Sequence, residues 1–131
     1  MGTLAEIVTP NFITVAPEDT LGEVAERMTS QNTGAVVVKD FGRMIGILTE
    51  RDMLRAMAAR VHTSDARVRQ WMTADPMTAT PDTTLDDAAR VMLVNGFRHL
   101  PVVDGSDVLG VVSLRRVMGG RRQPAPAPEA A

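Results

Sequence analysis

The chain of 131 residues contains no cysteine and no tyrosine, and it has only two histidines and one tryptophan. Without cysteine there is no disulfide framework, no catalytic thiolate and no thiolate metal ligand. Two histidines are fewer than most histidine-built metal sites use, so we predict no metal site. The formal net charge of −2 provides no basic field for a phosphate backbone. Nucleic acid is therefore not an expected partner.

Long apolar runs are also missing. No stretch approaches the roughly 18 continuous apolar residues of a membrane span, and residues 1–6 contain no basic segment before an apolar one. We therefore expect a cytoplasmic protein without membrane contact. The chain also lacks a nucleophile beside a base, a metal cluster and a phosphate-binding glycine loop, so we predict that it is not an enzyme.

The most informative feature that is present is an internal repeat. Residue types recur at a spacing of 64 positions, in pairs such as Thr14 with Thr78, Pro17 with Pro81, Leu21 with Leu85 and Gly46 with Gly110. A copy of about 60 residues buries too little surface to be secure alone, so we expect the two copies to share one core. We place the copies at 1–64 and 65–121, followed by a Pro/Ala-rich tail at 122–131 that we expect to be disordered.

Each copy has the pattern strand, helix, strand, strand, helix. A short strand is expected at 13–15, and the following helix carries apolar residues at i, i+3, i+4 and i+7, namely Leu21, Val24, Ala25 and Met28. The second copy repeats this spacing and, like the first, its helix is stopped by Asn and Gly. Hairpins with turns of four or five residues are predicted over 35–48 and 100–112, and final helices over about 50–60 and 114–118. A short helical turn at 68–72 is expected to pack Trp71.

The two copies differ in the polar motif that follows the second hairpin strand. The first copy has Gly46-Ile47-Leu48-Thr49-Glu50-Arg51-Asp52, and the second has Gly110-Val111-Val112-Ser113-Leu114-Arg115-Arg116. Thr49 and Ser113 are both suited to cap a helix. Arg116 replaces the acid, and a cation at that position opposes the helix dipole. Helix stability alone therefore does not explain the exchange.

Two interpretations of Thr49 and Asp52 are open from spacing alone. In one, the pair is a capping box that stabilises the helix by about 1 kcal/mol and binds nothing. In the other, the carboxylate and the free amides of the helix N-terminus face a ligand. Gly46 fits both interpretations, because a missing side chain lets another backbone or a flat ligand approach closely.

Three motifs in a fixed order carry a resemblance to a known family. They are the glycine, two apolar residues, Thr or Ser, two variable residues and Asp of 46–52, the Thr-x-x-Pro-x-x-Thr-Leu segments at 14–21 and 78–85, and Phe97-Arg98-His99-Leu100-Pro101-Val102-Val103. With these motifs, the span from Thr3 to Arg122 resembles a tandem pair of CBS domains, the regulatory modules named after cystathionine β-synthase. The resemblance implies an α+β fold: a pseudo-two-fold pair of CBS motifs, with sheets packed together and helices outside.

The resemblance also implies an adenosyl-ligand site between the repeats. In that family the motif Asp accepts hydrogen bonds from ribose hydroxyls, which corresponds to Asp52, and the motif Thr contacts ribose or phosphate, which corresponds to Thr49. The base and phosphates are usually met from the other repeat. The site residues implied in this way are Asp52, Thr49, Arg51, Ile47, Thr78, Thr80, Phe97, Arg98, His99 and Pro101. Core packing for Phe97, a solvated cation for Arg98 and strand-side hydrogen bonding for His99 are the alternatives.

Symmetry implies a second cleft with a different chemistry. Its residues are Thr14, Thr33, Gly34, Ser113 and Arg116. Arg116 removes the ribose acceptor, so phosphate or another anion is the alternative ligand there. We expect two clefts by symmetry and one nucleoside site by chemistry.

The function implied by the resemblance is regulation. The ligand is expected to be AMP, ADP, ATP or S-adenosylmethionine, bound as a regulatory ligand and not as a catalytic cofactor. A homodimer is expected to signal its occupancy to a partner protein that the sequence does not identify. The alternative is a structural or protein-interaction CBS pair with empty clefts, in which Asp52 is only a helix cap.

Overall fold

The computed structural model describes residues 2–121, which form two compact units. We call Phe12–Pro76 the Asp52 unit; the Arg116 unit combines residues 2–11 with residues 77–121. The predicted copies, 1–64 and 65–121, stay a prediction about the repeat; the packing units are offset from them because short segments pack outside their own copy. The predicted disordered tail at 122–131 lies outside the described residues.

The Asp52 unit contains a four-stranded sheet. Its strands are β1 (Thr14–Val15), β2 (Ala35–Asp40), β3 (Arg43–Thr49) and β4 (Thr73–Ala74), in the order β1-β2-β3-β4, and its helices are α1 (Leu21–Gln31), α2 (Glu50–Ala58) and α3 (Val68–Trp71). β1 runs parallel to β2, and the other neighbours are antiparallel. The predicted order of strand, helix, strand, strand, helix is present, and α3 is the predicted helical turn. β4 was not predicted from the sequence.

The Arg116 unit repeats this plan with a smaller sheet. It contains a 3₁₀ helix (Leu4–Glu6), α4 (Leu85–Asn95), the antiparallel hairpin of β5 (His99–Asp104) and β6 (Asp107–Ser113), and α5 (Leu114–Arg121). Where the first copy has β1, this unit has a single parallel bridge between Ala79 and Val102. α5 extends to Arg121, beyond its predicted end near 118.

Capping residues explain where the first helix of each copy begins and ends. Thr20 forms a capping box with Glu23, and hydrogen bonds from the backbone and side chain of Thr20 lower the pKa of that carboxyl. The predicted Asn and Gly stops are present: the C-cap residues are Asn32 for α1 (φ 53°) and Gly96 for α4 (φ 77°), and both are left-handed. These two helices have 11 residues each, and within residues 2–121 no helix is long and apolar enough to cross a membrane.

The hairpin turns and the end of α2 are tighter than predicted. β2 and β3 stay paired up to Asp40 and Arg43, so the turn holds only Phe41 and Gly42, with φ of 52° and 77°. Positive φ at both central residues matches the twist of the strands, which favours this two-residue turn over the predicted longer one. α2 ends at Ala58 instead of near 60, because Arg60 has φ 61° and cannot continue a right-handed helix.

One short segment in each unit, around Ala66 and around Gly2, accepts a hydrogen bond from the first residue of a long helix. We call these two the closing segments. The amide of Leu21 donates to the carbonyl of Ala66 at 3.0 Å, and the amide of Leu85 donates to the carbonyl of Gly2 at 3.1 Å. Both donors and both acceptors are 64 positions apart. The segment that follows the first copy therefore belongs to the Asp52 unit, and the N-terminal segment belongs to the Arg116 unit.

Each unit has its own cluster of buried hydrophobic residues, where the sequence analysis expected one shared core. Val68 of α3 is fully buried in the cluster of the Asp52 unit, together with Val24, Val36 and Leu48. Leu4 is fully buried in the cluster of the Arg116 unit, with Leu85, Met92 and Leu100 among its members. The closing segments thus supply core side chains as well as hydrogen bonds.

Candidate functional site

The candidate site lies where β3 ends and α2 begins. Thr49 is the N-cap residue of α2, with extended backbone angles. Its hydroxyl accepts a hydrogen bond from the amide of Asp52 at 3.4 Å, and its own amide donates to Oδ2 of Asp52 at 3.0 Å. The predicted capping box is therefore present, and it places the carboxylate at the first turn of the helix.

Asp52 combines this cap with burial. Its side chain is 6% exposed, and among residues 2–119 it is the one buried polar or charged residue. Oδ2 also accepts from the hydroxyl of Thr49 at 3.2 Å, and Oδ1 accepts from Nη1 of Arg55 at 2.9 Å. A buried carboxylate is costly unless it is hydrogen-bonded or paired, and these contacts meet that requirement.

Arg55 links the carboxylate to an aromatic ring. Its guanidinium carbon lies 5.5 Å from the centre of the Trp71 ring, a distance typical of a cation–π contact. The Arg55 side chain is 56% exposed, so it lies at the edge of the site and in contact with water. Asp52, Arg55 and Trp71 form a chain of contacts that joins α2 to α3.

Gly46 gives close access to a backbone rather than to a ligand. An added Cβ at this position lies 2.7 Å from the carbonyl oxygen of Thr73 and 2.9 Å from Sδ of Met72. Gly46 also pairs with Ala74, so β4 occupies the space that the missing side chain leaves. Of the two occupants that the sequence allowed, the structure has the backbone.

The other predicted residues of the Asp52 unit surround the same end of the sheet. Ile47 is buried in β3, while Arg51 is exposed on α2. The carbonyl of Gly34 accepts from the amide of Glu50 at 2.9 Å, which puts Gly34 beside the start of α2. The hydroxyl of Thr33 donates to the carbonyl of Ala35 at 3.2 Å.

Thr14, which the sequence analysis assigned to the second cleft, lies on β1. Its carbonyl accepts from Nη1 of Arg27 at 3.1 Å, and its backbone pairs with Val37. The structure thus places Thr14, Thr33 and Gly34 in the same unit as Asp52. Their assignment to a second site stays a prediction.

In the Arg116 unit, Thr78, Thr80 and Pro101 lie close together. The amide of Ala79, which separates the two threonines, donates to the carbonyl of Pro101 at 2.9 Å. Both threonines are exposed, and Pro101 is buried in β5. The hydroxyl of Thr80 donates to Oδ1 of Asp82 at 2.6 Å, and this bond lowers the pKa of the Asp82 carboxyl.

Phe97, Arg98 and His99 occupy different environments. Phe97 packs against the core cluster of its unit and is half-buried, which fits the core interpretation. Arg98 is exposed, and its carbonyl accepts from the amide of Leu114 at 2.8 Å. His99 is half-buried at the start of β5 and pairs with Ser113.

Ser113 and Arg116 show what the second copy has instead of the acid. The hydroxyl of Ser113 accepts from the amide of Arg116 at 3.1 Å, so the cap is kept. Nε of Arg116 donates to the carbonyl of Ile7 at 3.0 Å. Ile7 is the counterpart of Trp71 at the repeat spacing, and Gly119 is the counterpart of Arg55. The ion pair of Asp52 with Arg55 and the contact of Arg55 with Trp71 therefore have no chemical equivalent at these positions.

Arg55 and the role of Trp71 were missed from the sequence. An available signal was the spacing of Asp52 and Arg55, three residues apart on a predicted helix, which brings their side chains together. From the sequence, Trp71 was expected only to pack a short helical turn. Among residues 2–121, the structure places no group of three or more acidic or histidine side chains where it could hold a metal ion.

Comparison with known proteins gives a consistent result. The family model described as CBS domain matches residues 4–59 and 68–121. An uncharacterised 17.7 kDa protein in the bps2 3′ region of Acidianus ambivalens is 40% identical over 114 residues, which are 86% of this chain and 68% of that protein. A CBS-domain containing protein from Agrobacterium tumefaciens has 31% identity and a TM-score of 0.81, over 86% of this chain and 91% of the other.

A more distant structural neighbour carries a ligand. The crystal structure of CBSX2 from Arabidopsis thaliana, in complex with AMP, has 24% identity and a TM-score of 0.76, over 92% of this chain and 96% of the other. At this identity the likeness to the present chain is one of fold. The AMP is a property of that complex.

Proposed function

Because the chain belongs to the CBS domain family and contains two tandem copies of the domain, we propose that it is a regulatory module that binds an adenosyl ligand through Asp52. The observation that carries the proposal is the burial of this carboxylate, whose side chain is 6% exposed. A helix cap does not need burial, since the Thr84 cap of α4 forms beside an exposed Asp87. A protected carboxylate is suited to bind hydroxyl groups.

Asp87 provides an internal comparison for this argument. It has the same place in α4, because Thr84 caps that helix by accepting from the amide of Asp87. It also pairs with an arginine three residues later, Arg90, at 3.3 Å. The side chain of Asp87 is nevertheless 56% exposed. Capping and ion pairing therefore do not require the burial seen at Asp52.

The chemistry of the site favours a ribose. A carboxylate accepts hydrogen bonds from two vicinal hydroxyls, and bonds to a charged group contribute about 1.5–3 kcal/mol each. The residues predicted to meet the rest of the ligand, Thr78, Thr80, Phe97, Arg98, His99 and Pro101, stay part of the proposal. The AMP complex of CBSX2 supports an adenine nucleotide as the ligand. The proposal also retains the homodimer, the cytoplasmic location and the signal to a partner protein.

A structural or protein-interaction module is the second candidate function. One observation favours it: the capping box of Thr49 and Asp52 is complete without a ligand. In that case the carboxylate stabilises α2 and binds nothing else. The two functions predict different results when the protein is titrated with adenosyl ligands: saturable binding for the regulatory module and no binding for the structural one.

The proposal is tested by calorimetric titration of the full chain with AMP, ATP, NAD and S-adenosylmethionine. We expect at least one of these ligands to give saturable binding to the wild type. Asp52→Asn should weaken that binding by about 10- to 100-fold, the equivalent of losing one charge-assisted hydrogen bond. The amide oxygen of the introduced asparagine can still accept from the backbone of Thr49, so the fold should persist.

Asp87→Asn is the matched control for this substitution. It makes the same change at the same position of a capped helix, and we expect ligand affinity to stay at the wild-type value. Absence of saturable binding by the wild type would contradict the proposed function. If Asp52→Asn lowers stability and leaves affinity intact, the carboxylate is only a cap.

Arg116→Asp tests why the second copy differs. The substitution removes the bond from Nε to the carbonyl of Ile7. It also introduces an acid three residues after the Ser113 cap, where the first copy has Asp52. We expect the calorimetric stoichiometry to rise from one adenosyl ligand per chain towards two. An unchanged stoichiometry in a folded variant means that Arg116 is not what prevents nucleoside binding there.

A further inference from the structure

The hydrogen bonds already made by Asp52 limit what a ligand can find there. An ionised carboxylate has about four lone-pair positions. Oδ2 accepts from the amide and the hydroxyl of Thr49, and Oδ1 accepts from Nη1 of Arg55. At most one position is left, while two vicinal hydroxyls need two acceptors. A ribose therefore cannot bind in the expected way until one of these bonds is given up.

The bond from Arg55 is the one that can be broken at the smallest cost. Its side chain is 56% exposed, so water solvates the guanidinium as soon as it leaves Oδ1. The Asp52 side chain is only 6% exposed, but a ligand hydroxyl that takes the place of Nη1 keeps Oδ1 hydrogen-bonded, so the buried carboxylate is not left without a partner. The bond from the Thr49 amide is part of the capping box of α2, and the same cap holds the Thr49 hydroxyl beside Oδ2, so a ligand that replaces either donor also disturbs the helix start.

We propose that Arg55 controls ligand affinity by occupying the acceptor, and that an adenosyl ligand displaces it from Oδ1 of Asp52. This inference rests on the proposed function, since it concerns the same carboxylate. Arg55 acts on the ligand only through Asp52: it competes for Oδ1 and does not itself bind the ligand.

The fluorescence of Trp71 can report the displacement of Arg55. Arg55 lies over the ring of Trp71 at 5.5 Å, and Trp71 is the one tryptophan of the chain. When the guanidinium leaves Asp52, it also loses the geometry that holds it over this ring. Ligand binding therefore changes the indole environment, although Trp71 itself need not touch the ligand.

The test compares wild type with Arg55→Met, which removes the charge and keeps an apolar side chain of similar length beside Trp71. Adenosine is the first probe, because it has ribose hydroxyls and no phosphate that an arginine attracts. We expect Arg55→Met to bind adenosine about two- to fivefold more tightly, because no guanidinium has to be displaced from Oδ1. Arg90→Met removes the equivalent arginine from α4 and should leave the affinity unchanged.

Tryptophan emission provides the second readout. AMP should shift the emission of the wild type towards that of ligand-free Arg55→Met, and it should change the emission of the variant much less. A purely structural role for Arg55 predicts neither effect. Thermal unfolding of both variants, followed by circular dichroism, checks that they are folded, and Arg55→Leu, which also removes the charge, repeats the test if the methionine variant is not.

The outcomes separate the two proposals. Equal or weaker adenosine binding by Arg55→Met, together with AMP binding that leaves Trp71 emission unchanged, overturns the role of Arg55 and leaves the proposed function intact. No binding of AMP or adenosine to either protein contradicts the proposed function and the inference together. Binding of adenosine by Arg55→Met alone, together with binding of AMP by the wild type, supports both proposals.

Discussion

Leu4→Ala is expected to lower the free energy of unfolding by about 2–5 kcal/mol, the usual cost of truncating a fully buried leucine. Leu4 is 0% exposed and belongs to the core cluster of the Arg116 unit, although it lies 81 positions before its cluster partner Leu85. Chemical denaturation of the full chain measures the loss. If the N-terminal segment were exposed and did not pack on the Arg116 unit, the substitution would have almost no effect.

Leu93→Ala is the control, because it makes the same truncation on α4 of the same unit. Leu93 is 60% exposed, so its loss should change the free energy of unfolding by less than about 0.5 kcal/mol. Equal effects of the two substitutions would contradict the packing of the N-terminal segment.

Hydrogen exchange locates the same effect. In Leu4→Ala the amide of Leu85, which donates to Gly2, should exchange faster than in the wild type. The amide of Leu21, which donates to Ala66 in the other unit, is the internal reference. Faster exchange at Leu21 alone would mean that the N-terminal segment packs on the Asp52 unit instead of the Arg116 unit.

Gly46→Ala is expected to cost about 1–3 kcal/mol, the range for an overpacked interior. The added Cβ meets the carbonyl oxygen of Thr73 at 2.7 Å. This neighbour is backbone, so it can move only if β4 shifts away from β3 and breaks the pairing of Ile47 with Thr73. Because β4 directly follows α3, the shift should also alter Trp71 emission. Denaturation and fluorescence of the ligand-free protein measure both effects.

Gly110→Ala is the equivalent substitution in the second copy, and Gly119→Ala is the control. Gly110 is the counterpart of Gly46, and an added Cβ there clashes with the carbonyl oxygen of Thr9, so it should be destabilising as well. Gly119 lies in α5 with nothing within 4 Å of an added Cβ. Alanine there should be neutral or stabilise by up to about 1 kcal/mol. A neutral Gly46→Ala would mean that β4 does not lie against β3.

The repeat made most of the fold predictable. The spacing of 64 positions holds for residue types and also for hydrogen bonds, as Leu21 with Ala66 and Leu85 with Gly2 show. Helix periodicity, the two hairpins and the helix stops at Asn32 and Gly96 depend on residues close in sequence, and they were confirmed, although the hairpin turns are shorter than predicted. The CBS domain family and the α+β fold class inferred from the motifs are confirmed as well.

The closing segments were not predictable in the same way. Nothing in the apolar spacing of 2–9 says which copy it packs on, because Leu4 fits a core wherever one is available. The two-residue turn at Phe41 and Gly42 escaped prediction for a related reason, since an exposed phenylalanine at positive φ is an unusual choice for that position.

The sequence by itself determined the repeat, the helix caps and the exchange of Asp52 for Arg116. It also contains one local pattern twice, as Thr49-x-x-Asp52-x-x-Arg55 and as Thr84-x-x-Asp87-x-x-Arg90. Both copies of this pattern cap a helix and pair an acid with an arginine, because those contacts join residues three apart. Only the tertiary structure decided that the Asp52 side chain is 6% exposed and the Asp87 side chain 56% exposed. Exclusion of water needs atoms from distant parts of the chain, and a local pattern does not specify them.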